Sequence, residues 1–208
     1  SGAVRALDVG EALCRKVRLL ATRQVATGGS PEGVSLRMVR RRLRRLASAG
    51  LLHRTTINAH PPLAVGEPLV AWTPGQPVPL PQGVAHKAKC RWSQPAVPLE
   101  VIYASRLAGN LFGSTAGRLP EVEHRDHDLL LGGVYVHYLL HRPEDAKTWL
   151  GADAFPKAGP RSKDPDAFLI SVDGGPRQVI ESAGRYSAKQ VQSFHEHCAE
   201  HCLPYELW

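Results

Sequence analysis

The chain has 208 residues, 43 % of them hydrophobic and 22 % charged, a composition typical of a globular protein with one large or two small domains. No stretch approaches about 18 consecutive apolar residues, so we expect no membrane span, and no signal peptide is expected either. Four cysteines are too few for a disulfide framework in a chain of this length. These features predict a protein of a reducing, cytoplasmic setting.

The net charge of +7 is concentrated at the N-terminal end of the chain. Residues 1–60 contain 12 Lys and Arg against 3 Asp and Glu, whereas residues 61–208 contain 14 against 16. A basic segment of this kind is expected where a protein contacts a polyanion. The charge distribution therefore favours nucleic acid as a partner of the N-terminal part.

The first predicted element is a helix over residues 8–27, because apolar side chains recur there at helical spacing. Gly28 and Gly29 are expected to end this helix. A short second helix is expected near residues 31–34, leading into the next segment.

The most informative segment is residues 36–46, because six of the nine residues from Arg37 to Arg45 are arginines. One helical stripe carries the apolar residues Leu36, Val39, Leu43 and Leu46. No acid occurs between Arg37 and Arg54, although an ordinary solvated helix would mix Glu with its Arg for ion pairing. The pattern predicts a helix that packs through leucines and presents arginines, with Gly50 as a left-handed cap.

Two strands are predicted after this helix, at residues 51–57 and 69–73. A helix, a glycine and two strands joined by a turn are typical of a winged helix-turn-helix, in which the two strands form the wing. Prolines follow at positions 74, 77, 79 and 81 and predict a stiff connector. We therefore expect a winged-helix DNA-binding domain over residues 1–80 and a second domain over residues 81–208.

An α-helix fits the major groove of B-DNA, and arginine binds both phosphates and guanine edges. The predicted contacts to double-stranded DNA follow from the arginine-rich helix and the first strand of the wing. They are Arg37, Arg40, Arg41, Arg44, Arg45 and Arg54.

The second domain is predicted to be an α/β domain. Its expected elements are an exposed strand at residues 84–92, a helix at 99–111, a buried helix at 127–140, a hairpin of strands 166–172 and 177–181, a helix from Ser187 to about residue 201 with Cys198 and Cys202 inward, and a terminal strand at 203–208. Pro204 favours an edge position for the terminal strand. The order of helices and strands predicts a layered α/β arrangement.

Two carboxylates are brought together by the predicted hairpin. A two-residue turn at Gly174 and Gly175 would pair Phe168 with Glu181 and leave Asp166 on the same face as Glu181, within diagonal reach. A three-residue turn would place the two carboxylates on opposite faces. Two neighbouring carboxylates can hold a divalent metal such as Mg²⁺ for phosphodiester hydrolysis.

The residues Lys163-Asp164-Pro165-Asp166, followed by Val179-Ile180-Glu181-Ser182-Ala183, resemble the PD-(D/E)xK nuclease fold. With the basic winged helix in front, the chain resembles the replication-relaxation family of plasmid and mobile-element proteins. The resemblance implies an α/β (α+β) protein with an N-terminal winged helix-turn-helix and a restriction-endonuclease-like domain. It covers both ends of the chain, and residues 80–125 contain no matching motif.

The resemblance also implies an active site of Asp166, Glu181 and a lysine. In active nucleases of this fold the lysine stands two residues after the acid, and Ala183 occupies that position here. Lys189 in the first turn of the next helix is the candidate replacement, and Lys163 is a poorer one. The departure from the motif argues against catalysis.

Two other segments resemble metal sites. Residues 197–201 match the H-x-x-E-H pattern of an inverted zinc-peptidase motif, but only six residues follow Cys202 to supply a further ligand. Residues 124–128 combine two His with two Asp. Because the cysteines fit the inward stripe of a helix and residues 124–128 fit a solvated helix start, we expect neither segment to bind metal.

The sequence therefore predicts a double-stranded DNA-binding protein of the plasmid or mobile-element replication or transfer type, with a degenerate nuclease-like domain and no cofactor. The alternative is an active Mg-dependent DNA endonuclease that uses Asp166 and Glu181. A third class is a domain that contacts other proteins of replication or transfer. A second copy of the chain or such proteins are further candidate partners.

Overall fold

A computed structural model describes residues 8–29, 34–155 and 164–208 of the chain. The described part is a mixed α/β protein with one three-stranded and one five-stranded sheet. Its helices are α1 (Val9–Glu11), which continues as a π-helix over Ala12–Lys16, α2 (Thr22–Gly28), α3 (Leu36–Ser48), α4 (Pro81–Cys90), α5 (Arg106–Phe112), α6 (Arg125–His141), α7 (Pro143–Thr148) and α8 (Ala188–Glu200), with a 3₁₀ turn at Val122–His124. Its strands are β1 (Leu20–Ala21), β2 (Leu52–Ala59), β3 (Val70–Trp72), β4 (Val97–Ala104), β5 (Trp149–Gly151), β6 (Ala167–Ile170), β7 (Pro176–Glu181) and β8 (Tyr205–Leu207).

The predicted first helix over residues 8–27 is interrupted. Val17 is extended, with φ −144° and ψ 154°, and the two residues of β1 pair with β4. Leu19 and Leu20 are fully buried. The Lys16 ammonium donates hydrogen bonds to the carbonyl oxygens of Lys147 and Trp149, at 3.2 Å and 2.7 Å. These tertiary contacts override the local helical pattern. Most of the second helix predicted near residues 31–34 lies outside the described residues.

The three-stranded sheet has the antiparallel order β1–β4–β2. Strands β2 and β4 pair along their full length, from Leu52 opposite Ala104 to Ala59 opposite Val97. The strands predicted at residues 51–57 and 69–73 are confirmed as β2 and β3, but they do not pair with each other, so the predicted wing is wrong. The partner of β2 comes from the segment predicted as a helix over residues 99–111. Its buried apolar run is compatible with a strand as well as with a helix.

The five-stranded sheet has the order β3–β8–β7–β6–β5, in which β7 and β8 are parallel and all other neighbours are antiparallel. The terminal strand was predicted at an edge, but β8 lies between β3 and β7. Pro204 stands before β8, and its carbonyl accepts a hydrogen bond from the Val179 amide at 2.9 Å, so its missing N–H interrupts no ladder bond. The two sheets do not divide at residue 80, because β3 belongs to the five-stranded sheet and β4 to the three-stranded sheet.

The segment predicted as an exposed strand at residues 84–92 forms α4 instead. Pro81 stands in its first turn, where a missing amide proton costs nothing. Val84, Ala85 and Ala88 are buried on one side of the helix, and α4 packs against α8. The alternating lysines that suggested a strand lie on its exposed side.

The largest apolar core cluster contains residues of both sheets, such as Ile102 of β4 and Ile180 of β7, together with Leu43 of α3, Val134 of α6 and Trp208. The predicted helix over residues 127–140 is confirmed as α6, which contributes many of the buried side chains. Within the described residues, no helix has the length and apolar character needed to cross a membrane.

A buried carboxylate connects α6 to β8. Glu206 is 5 % exposed and accepts hydrogen bonds from the Tyr138 hydroxyl at 2.6 Å and from Arg142 Nη1 at 2.6 Å. Trp208 Nε1 donates a third bond at 3.0 Å. Because these three donors all bind one buried carboxylate, the hydrogen bonds of Glu206 fasten α6 to β8 of the five-stranded sheet.

Candidate nucleic-acid interface and carboxylate cleft

The arginine-rich helix forms as predicted. Its first turn is capped by Ser35, whose hydroxyl accepts a hydrogen bond from the Met38 amide at 3.3 Å. Val39 and Leu43 are buried against the core. Gly50 adopts a left-handed conformation, with φ 72°, just after the helix. The helix is therefore held on its apolar side and ended where the sequence indicates.

All six arginines of α3 are exposed to solvent. Arg37, Arg41, Arg44 and Arg45 make no ion pair with a described residue. Their guanidinium groups are thus available to an outside anion. The helix itself contains no acid that would neutralise them.

Arg40 and Arg54 differ from the other candidate contacts because they share one carboxylate. Arg40 Nε lies 2.9 Å from Glu100 Oε2, and Arg54 Nη2 lies 2.5 Å from Glu100 Oε1. Partial burial would raise the pKa of Glu100, but the hydrogen bonds from Arg54 and Arg40 lower it below its usual value. Glu100 on β4 therefore holds an arginine of α3 and an arginine of β2 together. Sequence patterns do not predict this pairing, since Glu100 lies within a segment predicted to be helical.

Asp166 and Glu181 come together, although in a different register from the predicted one. Phe168 pairs with Val179 and Ala167 with Ile180, so the next position places Asp166 opposite Glu181. The predicted pairing of Phe168 with Glu181 is wrong by two residues. An even shift keeps the same face, because side chains alternate along a strand.

Both acids accept hydrogen bonds from the protein. Glu181 is 2 % exposed, and its Oε2 accepts from the Asp166 amide at 3.2 Å. The Tyr186 hydroxyl donates to Glu181 Oε1. Burial and the neighbouring carboxylate raise the pKa of Tyr186, so its hydroxyl keeps its proton. Asp166 Oδ2 accepts from the Ser182 amide at 2.7 Å.

His127 on α6 adds a cation beside these acids. Its Nε2 lies 2.9 Å from Asp166 Oδ2, and its Nδ1 lies 3.1 Å from Asp128 Oδ1. Burial would lower the pKa of His127, but the two carboxylates outweigh it and raise the pKa to about 10. Asp128 is only 3 % exposed, so the expectation of a solvated helix start at residues 124–128 is wrong for this residue.

These residues line a cleft of about 540 Å³. Its acidic lining residues are Glu123, Asp126, Asp128, Asp164, Asp166 and Glu181. Arg18 and Arg185 also line the cleft, and Trp92 lies at its wall, where its indole N–H donates to the Gly184 carbonyl at 2.8 Å. The described lining of the cleft is therefore predominantly acidic, in contrast to the surface of α3.

The cation expected from the nuclease motif is missing from its position. Ala183 is fully buried, and its side chain can neither hold a charge nor bind a phosphate. Lys189 is exposed on α8 and is not among the described residues that line the cleft, whereas its neighbour Gln190 is. Lys163 lies outside the described residues.

The described residues do not complete a metal site. No group of three or more His, Cys, Asp or Glu side chains in the described part of the chain is arranged to hold a metal ion. Mg²⁺ prefers six oxygen ligands, whereas the oxygens of Asp166 and Glu181 accept bonds from protein donors. The same finding applies to the cluster at the end of α8, where Cys198 is buried but Cys202 is exposed rather than inward.

Comparison with known protein families, with curated proteins and with solved structures found no match to this chain.

Proposed function

We propose that the chain binds double-stranded DNA through α3, as a protein of the plasmid or mobile-element replication or transfer type. The observation that carries the proposal is the exposure of six arginines on a helix that packs through its opposite side. Fixed guanidinium groups on one helix suit both the phosphates and the major groove of a duplex.

The topology around α3 supports a winged helix-turn-helix of modified form. A helix, a short strand, two helices and two long antiparallel strands follow one another as α1, β1, α2, α3, β2 and β4, with β1 beside β4. The wing is then formed by β2 and β4, and residues 60–96 are inserted between them. This insertion contains β3, which joins the five-stranded sheet, and α4, which packs against α8.

The five-stranded sheet supports a nuclease-like domain with a degenerate active site. Its order of β5, β6 and β7, followed by the crossover helix α8 and the parallel strand β8, agrees with the resemblance to the PD-(D/E)xK fold. The buried Ala183 and the protein-bonded carboxylates favour a degenerate site. We therefore propose DNA binding, rather than DNA cleavage, as the function.

A salt titration with matched variants tests the proposal. Arg41→Ala together with Arg44→Ala should weaken duplex binding more than tenfold, because each charged contact contributes about 1–3 kcal/mol. The plot of log affinity against log salt concentration should become shallower by about 1.8 in slope, which corresponds to the loss of two phosphate contacts. The control is Lys87→Ala with Lys89→Ala, which removes the same charge from the exposed side of α4.

Equal losses in the two double variants would mean that net charge, rather than α3, determines binding. Unchanged binding after the substitutions on α3 would reject the helix as the contact. Circular dichroism should show both variants folded, because all four residues are exposed.

The second candidate function is an Mg-dependent endonuclease, favoured by the opposition of Asp166 and Glu181 in the cleft. A plasmid incubated with Mg²⁺ or Mn²⁺ should stay intact if the site is degenerate. Cleavage that is lost in both Glu181→Ala and Lys189→Ala would overturn our preference for a binder. Cleavage that survives both changes would point to another site or to a contaminating nuclease.

A further inference from the structure

A second cavity, of about 860 Å³, lies between α2, α3, β4, α6 and the segment 61–65. Its volume falls in the range typical of small-molecule sites, about 300–1,000 Å³. The cavity is separate from the carboxylate cleft, since the lining residues of the two do not overlap. We propose that it binds an organic anion with an apolar body.

The walls of the cavity are apolar side chains that the fold leaves partly exposed. They come from three elements and include Pro62, Leu63, Val65, Val97, Leu99 and Leu140. Soluble proteins seldom leave such side chains gathered around one concave surface without a ligand or partner. The walls therefore suit an apolar ring system or chain.

The shape of the cavity depends on a glycine in α6. A Cβ at Gly133 would lie 3.1 Å from Val65 Cγ2 and 3.2 Å from Gln24 Nε2. Gly133 thus allows the segment 61–65 to lie close over the helix while the space beside it stays open.

The charged lining residues favour an anion. Arg23 and Arg40 line the cavity, and among its described lining residues Glu100 is the one acid. The Glu100 carboxylate is already shared between Arg40 and Arg54. Arg23 makes no ion pair with a described residue and is exposed. Positive charge is therefore in excess at the cavity, so a carboxylate or sulfonate fits better than a cation.

Two histidines on α6 add polar groups. The rings of His137 and His141 lie 4.6 Å apart. Burial and the neighbouring His141 lower the pKa of His137, so its ring is neutral at neutral pH and leaves the anion preference to the arginines.

Three probes of matched shape test the proposal: naphthylacetate, naphthylacetamide and naphthylmethylammonium. Binding to the full chain is measured by calorimetry and by saturation-transfer NMR. We expect naphthylacetate to bind about tenfold more tightly than the neutral amide, since charge-assisted hydrogen bonds are the stronger ones. The cation should bind most weakly.

Two pairs of variants locate the site. Arg23→Gln with Arg40→Gln should reduce the affinity for naphthylacetate to that for the amide, whereas Arg37→Gln with Arg44→Gln removes the same charge outside the cavity and should not. Ala64→Trp at the exposed lip of the cavity should weaken all three probes, with Ala71→Trp on β3 as its control.

The proposal is overturned if the three probes bind alike, if none of them binds, or if the cavity variants behave as their controls do. The proposal is supported if Arg23→Gln with Arg40→Gln loses the preference for the anion while its control keeps it, and if Ala64→Trp weakens the binding of all three probes while Ala71→Trp does not. Near-UV circular dichroism of each variant checks its fold, which we expect to be unchanged because Arg23, Arg40 and Ala64 are exposed.

Discussion

Glu100→Gln should make the chain bind duplex DNA more tightly. In the folded protein the Glu100 carboxylate contacts Arg40 at 2.9 Å and Arg54 at 2.5 Å, so one acid restrains two of the candidate DNA contacts. The substitution keeps the size of the side chain and removes the competing anion. Both guanidinium groups can then reach phosphates.

The size of the effect follows from the number of released contacts. Two additional phosphate contacts make the plot of log affinity against log salt concentration steeper by about 1.8 in slope. The gain in affinity over the unchanged chain therefore becomes about tenfold smaller between about 50 mM and 200 mM salt. At the lower salt concentration we expect binding about tenfold tighter than for the unchanged chain. Loss of the two ion pairs also reduces the stability of the fold, by up to about 1 kcal/mol, because all three side chains are partly exposed.

Fluorescence anisotropy with a labelled duplex at several salt concentrations measures the effect. Glu144→Gln is the matched control, because it changes the net charge equally at an exposed residue of α7 that pairs with Lys147. Binding by Glu100→Gln that equals the control would refute the idea that the acid restrains the arginines. Weaker binding than the control would mean that the pair instead positions them for DNA.

Three further predictions concern stability. The pKa of His127 is raised to about 10, so the protonated ring stabilises the fold fully below pH 6.5, and this stabilisation is lost as the pH rises toward 10. Urea unfolding between pH 6.5 and 10 should show the free energy of unfolding decrease by up to about 1.4 kcal/mol per pH unit. This decrease should be absent in His127→Gln. Glu206→Leu should lower the free energy of unfolding by about 1–3 kcal/mol, because the Tyr138 hydroxyl and the Trp208 indole N–H lose their acceptor while Arg142 keeps its ion pair with Asp145; an unchanged free energy of unfolding would contradict this role. Gly151→Ala should prevent stable folding, since its Cβ would lie 2.2 Å from the Lys16 carbonyl oxygen. In contrast, Gly83→Ala in the first turn of α4, where a Cβ would meet no atom within 4 Å, should raise stability by about 0.4–1 kcal/mol.

The sequence predicted elements whose signals are local. Helix α3 has its cap, its apolar stripe and its terminal glycine within a single segment, and its prediction is confirmed. The capping box of α8 at Ser187 and Gln190 is a local signal of the same kind. In contrast, the lysines of α4 alternate in a way that fits either a strand or the exposed side of a helix, so only its packing against α8 decides between them.

Strand partners were harder to predict because they lie far apart in the chain. Nothing near β2 indicates that its partner is β4 rather than β3. The Asp166–Glu181 pair could still be predicted, because strand alternation preserves the shared face under an error of two residues. His127 and Asp128 reach the same cleft from a helix about 40 residues earlier in sequence, and no spacing rule connects them to it.

The pairing of β3 with β8 determines when the protein can complete its fold. Val70 lies opposite Leu207, so the five-stranded sheet closes only after almost all of the described chain has been synthesised. During translation, β3 must remain without its partner while the segments after it emerge from the ribosome. Contacts of such long sequence separation slow folding and prolong the exposure of apolar strands. A chaperone that shields residues 69–73 during synthesis should therefore raise the yield of folded chain.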